Sequence, residues 1–153
     1  MFAQTEISIR PATAGDLAAM TELLAVLFSI EADFTVDERN QRHGLEMMIE
    51  NPRGQILVAV VDGKIAGMCS GQLTVSTAEG GYAVLVEDLV VHRDRRNLGI
   101  GEALMCGIGS WATERGATRL QLLADRNNGP ALSFYSKLGW NTTKLICLRK
   151  RES

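Results

Sequence analysis

Metal and redox chemistry have little to work with in this chain. There are two histidines, His43 and His92, and three cysteines, Cys69, Cys106 and Cys147. The cysteine count is odd, no pair has a ligand or redox spacing, and no His/Cys/carboxylate cluster suggests a metal. All three cysteines sit in apolar segments, where buried free thiols in a reducing cytosol are expected. A basic excess is also missing. The formal net charge is −2, which argues against a non-specific nucleic-acid binder. The longest apolar runs, such as residues 56–61, are far too short to span a bilayer. Residues 1–10 carry no long apolar stretch and no cleavage signature, so no signal peptide, no membrane partner and a cytoplasmic location are expected. Repeats, low-complexity tracts and linkers are absent. What remains is ordinary globular composition, 46% hydrophobic and 22% charged over 153 residues, enough for one sizeable core in a single domain spanning 1–153.

The order of elements follows from periodicity and turn chemistry. Residues 7–9 alternate as a short strand that Pro11 ends. Thr13 or Asp16 then caps a helix whose apolar face carries Leu17, Met20, Leu24, Leu27 and Phe28. A second helix carries Leu45, Met48 and Ile49 and stops before Pro52. Residues 56–61 are β-branched and apolar, like a strand covered on both faces. Asp62-Gly63 is a two-residue hairpin turn, and strands over 64–75 and 82–91 follow. The period then changes. Ile100, Leu104, Ile108 and Trp111 recur at helical spacing, with Gly116 as a stop. A strand over 120–123, a helix opening at 127–130 and closed by Gly139, and a last strand over 145–148 complete the chain. The order β α α β β β α β α β predicts an α/β fold: a mixed sheet of about six strands, an antiparallel meander feeding a parallel crossover, flanked by four helices.

The sharpest local feature is Arg96-Asn97-Leu98-Gly99-Ile100-Gly101, between a strong strand and an amphipathic helix. The first N–H groups of a helix lack intrahelical partners and sit at the positive end of its dipole, so an anion is stabilised there. Glycines at 99 and 101 remove side chains that would keep a phosphate off the backbone. Arg93, Arg95 and Arg96 add positive charge just upstream. A tight turn with solvated arginines is the plainer reading of the motif taken alone. A dinucleotide fingerprint would need glycine at Leu104, and a P-loop would need Gly-Lys-Ser/Thr, which is missing.

These residues resemble the Arg/Gln-x-x-Gly-x-Gly/Ala signature of the GNAT superfamily of N-acetyltransferases, whose turn binds the CoA pyrophosphate. The resemblance extends upstream to Glu87-Asp88-Leu89-Val90-Val91. Downstream it takes in Asn128, Ala131, Phe134, Tyr135, Gly139 and Trp140. The opening Ile9-Arg10-Pro11-Ala12-Thr13 also fits. Within the superfamily, the stretch 85–91 most resembles the diamine (spermidine/spermine) acetyltransferase branch. The resemblance implies acetyl-CoA as acyl donor, no metal, a small-molecule amine as partner and a homodimer. It also implies a strand that splays near Leu89, Val90 and Val91, freeing N–H groups for the thioester carbonyl and the pantetheine arm. Arg95, Arg96, Asn97, Leu98, Gly99, Ile100 and Gly101 would hold the pyrophosphate, with Asn128, Ala131 and Tyr135 contributing to the rest of the cofactor. Only residues 141–153 follow the last helix, leaving room for one closing strand where family members often have two.

Acetyl transfer requires a deprotonated amine, a close approach to the thioester, a donor for the oxyanion and a proton for the thiolate. Glu87 is the candidate general base, through a water. A carboxylate is weak against an amine, with reference values of about 4 and 10; partial burial can raise the first and apolar walls around the ammonium can lower the second. A salt bridge or a solvated strand position is the competing reading of Glu87, and Asp88 is expected to point to the opposite face. Tyr135 is the candidate acid for the thiolate, against a packing role beside Phe134. Asn128 can cap its helix or bond the pantetheine. Glu31, Asp33, Asp37 and Glu38 form an acidic stretch that would attract a cationic acceptor such as a polyamine or a lysine-like amine, or would be an ordinary solvated loop. Glu31, Asp33 and Glu87 are the expected acceptor-binding residues. Other acceptors in the same class are a protein N-terminus, a lysine side chain, an amino acid or an antibiotic amine. A non-catalytic acyl-CoA sensor is the alternative from another class.

Overall fold

The computed structural model describes residues 5–30 and 35–153. It divides into two units, Met1–Leu122 and Leu123–Ser153. The first unit holds strands β1 (Ser8–Pro11), β2 (Gly54–Val61), β3 (Lys64–Ser76), β4 (Gly81–Val91) and β5 (Ala117–Gln121). It also holds helices α1 (Leu17–Ile30), α2 (Glu38–Glu50) and α3 (Ile100–Glu114). The sheet order is β1-β2-β3-β4-β5. The first three pairings are antiparallel and β4–β5 is parallel, with α3 as the crossover. The second unit holds α4 (Gly129–Lys137).

Local chemistry accounts for the joints. Asp62 and Gly63 both have positive φ, 51° and 74°, the twist a two-residue hairpin needs between β2 and β3. The Asp16 carboxylate takes both guanidinium nitrogens of Arg10, at 2.7 and 2.9 Å, and the Thr13 N–H at 2.8 Å. This ties the end of β1 to the 3-10 turn that leads into α1. Arg10, above all, holds the Asp16 carboxyl down to about 2.

The sheet is buried on both faces. On one, Leu17, Met20, Leu23 and Leu24 of α1 and Leu45 of α2 pack with Ile56, Val58, Met68 and Val90. On the other, Ile100, Leu104 and Ile108 of α3 are fully enclosed. Burying a side chain of this size stabilises the fold by about 1.5–3 kcal/mol. Two glycines of β3 let α3 lie this close. A Cβ on Gly67 would come within 3.1 Å of both Ile100 Cγ2 and Leu104 Cδ1, and one on Gly71 within 3.0 Å of Ile108 Cδ1.

Three expectations differ in detail. The strand placed at 120–123 lies at Ala117–Gln121: Gly116, with φ +80°, reverses the chain so tightly that pairing begins at once. The closing strand over 145–148 does not form. Leu145 and Leu148 are 86% and 87% exposed, and among the described residues no strand pairs with this stretch; an apolar stretch without a ladder partner does not hold an extended form. Cys69 is buried, but Cys106 and Cys147 are exposed. Cys106 falls on the side of α3 turned away from Leu104 and Ile108.

Candidate active site

β4 organises the site. Its pairing with β5 runs only from Tyr82↔Ala117 to Leu85↔Gln121. Beyond Leu85, β4 pairs with β3 alone among the described residues, through Val86, Glu87, Val90 and Val91. On that β3 side the register slips: Ser70 faces Glu87, but Met68 faces Val90. Cys69 therefore stands opposite two residues, Asp88 and Leu89, a one-residue bulge in β4. Asp88 absorbs the bulge in the left-handed region, φ +55°, a conformation aspartate tolerates better than most side chains. The main chain at Leu89, Val90 and Val91 thus runs along an edge that β5 has left.

Paired residues of antiparallel strands share a face. Glu87 is paired with Ser70, two positions from Met68, so it stands on the face covered by α1 and α2. Its side chain is exposed, so of the two aids to proton transfer, partial burial of the carboxylate is not found. Asp88 lies close to Cys69, whose thiol is pushed up to about 12 by burial first and by the Asp88 charge second. Cys69 is therefore an inert buried thiol.

β4 runs straight into the predicted anion turn. A 3-10 turn spans Arg93–Arg95, then Asn97 (φ +63°) and Gly99 (φ +84°) take left-handed angles before α3 begins. A Cβ on Gly99 would meet nothing within 4 Å, so the backbone angle and not crowding calls for glycine. No side chain caps this helix, which leaves its first N–H groups to an external acceptor. Arg96, Asn97, Leu98 and Gly99 are exposed, Gly101 is half-buried, and Ile100 is 1% exposed, anchoring the helix in the core. The arginines divide. Arg95 is bonded to Asp62 at 3.1 Å in the β2–β3 turn, and Arg93 reaches Ser29 Oγ at 3.4 Å. Arg95 is thus a strut between two loops as well as a charge beside the turn.

In the second unit, Asn128 Oδ1 accepts from the Ala131 N–H at 3.2 Å, which is the capping role. Tyr135 stands edge-on to Phe134 (ring centres 5.3 Å apart) and tilted to Trp140 (5.9 Å). Of the acidic stretch, Asp37 caps α2 through the Asn40 N–H at 3.1 Å, while Glu31 and Asp33 lie outside the described residues. Among the described residues no group of three His, Cys, Asp or Glu could hold a metal ion, and no helix is long and apolar enough to cross a membrane. The first unit brings together Glu87, Leu89, Val90, Val91 and the turn 95–101 as one continuous path of main chain. Sequence reading missed Ser70 and the left-handed angle at Asp88. The one available signal was a polar residue in the otherwise apolar run around Met68 and Cys69.

Comparison with known proteins gives the family and the fold. The model of the acetyltransferase (GNAT) family matches residues 17–140. A streptothricin acetyltransferase of Streptomyces lavendulae is 34% identical over 92 residues, 60% of this chain and 47% of that protein. The chain thus spans about half the length of that relative. An uncharacterised N-acetyltransferase of Bacillus subtilis (strain 168) is 28% identical over 137 residues, 88% of this chain and 89% of that one. The solved structure of an aminoglycoside N-acetyltransferase in complex with CoA superposes with a TM-score of 0.84 over 99% of this chain and 98% of that one, at 16% identity. With its mixed sheet, its splayed fourth strand and a family match over most of its length, the chain belongs to the GNAT family of acetyltransferases, a family of acyl-transferring enzymes.

Proposed function

We propose that the protein moves the acetyl group of acetyl-CoA to a primary amine of a small cationic molecule, such as a polyamine or a lysine-like amine. The observation that carries this reading is the edge of β4 beyond Leu85, which leads without interruption into the uncapped start of α3. The pantetheine arm would pair with main chain at Leu89, Val90 and Val91, and the pyrophosphate would take the N–H groups at Gly99, Ile100 and Gly101 with Arg95, Arg96, Asn97 and Leu98 around it.

The exposed Glu87 carboxylate takes the amine's proton through a water. The neutral amine then attacks the thioester carbonyl, and main-chain N–H groups of β4 hold the oxyanion. Collapse of that intermediate expels the CoA thiolate, which takes the Tyr135 phenol proton, while the nitrogen gives its second proton to solvent and becomes the amide; the Tyr135 phenolate then regains a proton from solvent. A phenol, with a reference pKa of about 10, retains that proton at neutral pH and can give it to a basic thiolate. Asn128 and Ala131 support the cofactor from the start of α4, and Glu31, Asp33 and Glu87 attract the cationic acceptor. Assignment to the diamine branch and a homodimeric assembly belong to the same reading and rest on the family resemblance.

An antibiotic amine is the second reading, favoured by the name of the Streptomyces relative. Thiol release from acetyl-CoA decides between them, measured against polyamines, thialysine, amino acids, peptides and streptothricin. Turnover fastest on polyamines or thialysine supports the proposal, and turnover on streptothricin alone supports the second reading. Tight CoA binding without turnover on any amine overturns both in favour of a sensor.

A further inference from the structure

Ser70 is a polar side chain in the middle of the sheet, 3% exposed. Its hydroxyl donates to the main-chain oxygen of Glu87 at 3.1 Å. That bond sits at the last regular pair before the register slips, Ser70↔Glu87, with the bulge immediately beyond. The bulge is not free where it stands: Asp88 is held left-handed, a region that only glycine enters without some strain. Such strain persists only where the surroundings over-determine it. On the other side of the slip, Gly67↔Val91 and Met68↔Val90 restore the ladder, and His92 N–H donates to Ala66 O at 2.7 Å. The bulge is therefore clamped at both ends, and the clamp nearer Glu87 is a side chain.

We propose that Ser70 is a positioning residue for acetyl transfer: its hydroxyl pins the Glu87 carbonyl and so fixes both the Glu87 carboxylate and the main chain that follows it on β4. The inference rests on the proposed function for its catalytic consequence. Ser70 touches neither cofactor nor amine, and it acts through the strand. Without its hydroxyl, the Glu87 carbonyl loses a partner and β4 can relax toward regular pairing. Leu89, Val90 and Val91 would then shift along the edge where the thioester carbonyl must be met. Reacting groups displaced by about 1 Å lose on the order of a hundredfold in rate.

The test uses Ser70→Ala, Ser70→Val and Ser70→Thr, with kcat and the KM for acetyl-CoA measured on the amine the wild type acetylates best. Amide hydrogen exchange over residues 86–92 is measured in the free proteins. Ser70→Ala and Ser70→Val are expected to lower kcat by about ten- to a hundredfold with KM within about threefold. They should also speed exchange in the bulge, while Ser70→Thr, which keeps the hydroxyl, restores both. Equal kcat in the valine and threonine variants would overturn the inference, as would unchanged exchange in Ser70→Ala. A wild type that acetylates no amine would refute the function instead, and the exchange measurement would still judge whether Ser70 holds the bulge.

Discussion

Replacing Asp16 by Asn tests how much of the fold hangs on one ion pair at the start of α1. The carboxylate is 7% exposed and receives four hydrogen bonds, two from Arg10 and two from Thr13, one from its main chain and one from its hydroxyl. Its pKa falls from 3.8 to about 2 on folding. At 1.36 kcal/mol per unit this is roughly 2 kcal/mol at neutral pH. The Arg10 side chain is 42% exposed, and screening by water reduces the contribution to about 1–2 kcal/mol. The sign is fixed by the folded carboxyl being the stronger acid. The stabilisation is complete above the unfolded value near 3.8, shrinks as pH falls through the window down to about 2, and is about half gone by pH 3. Urea unfolding of wild type and Asp16→Asn should therefore differ by about 1–2 kcal/mol at pH 7 and by about half as much at pH 3. Equal differences at the two pH values, or no difference at pH 7, would refute the argument.

The site makes further predictions. Gly99→Ala should cost roughly 1 kcal/mol of stability, because its Cβ meets no atom and only the left-handed angle is strained. Gly99→Asp should in addition abolish CoA binding by calorimetry, since it places a negative charge in the phosphate seat; retained affinity would remove the turn from the cofactor site. Glu87→Gln should reduce turnover most at the acid end of the pH–rate profile, where the amine is hardest to deprotonate, and a uniform loss across pH would count against a base at this position. Tyr135→Phe should lower kcat far more than CoA affinity, and an unaltered kcat would remove Tyr135 from the mechanism and favour a packing role beside Phe134 and Trp140.

Periodicity and turn chemistry made most of the first unit legible. The switch from a period of two to a period of 3.6 after Val91, with glycine at 99 and 116, locates the crossover helix and its uncapped start, because those signals are local. The misplacements arise where local sequence is silent about neighbours. Leu145, Ile146 and Leu148 look like a strand by composition, yet they are exposed and no strand pairs with them among the described residues. Asp37 looks like part of an acidic acceptor patch, yet the backbone of its own helix uses it as a cap.

Strand alternation is also the rule that fails at the most consequential place. Extrapolated through Glu87-Asp88-Leu89, it treats β4 as regular, and nothing in those three letters announces a bulge. The cause lies on the neighbouring strand and across the sheet. Gly67 lets α3 seat against β3, Cys69 fills the position opposite the two bulged residues, and Ser70 bonds the last carbonyl before the slip. Each has a bland reading alone: a strand glycine, a buried thiol, a buried hydroxyl. Together they line the bulge that β4 makes before it enters the anion turn. The motif residues thus name the chemistry, while a strand that carries none of the motif determines where their main chain lies. Substitutions on β3 should therefore be felt in the rate of acetyl transfer before they are felt in the affinity for the cofactor.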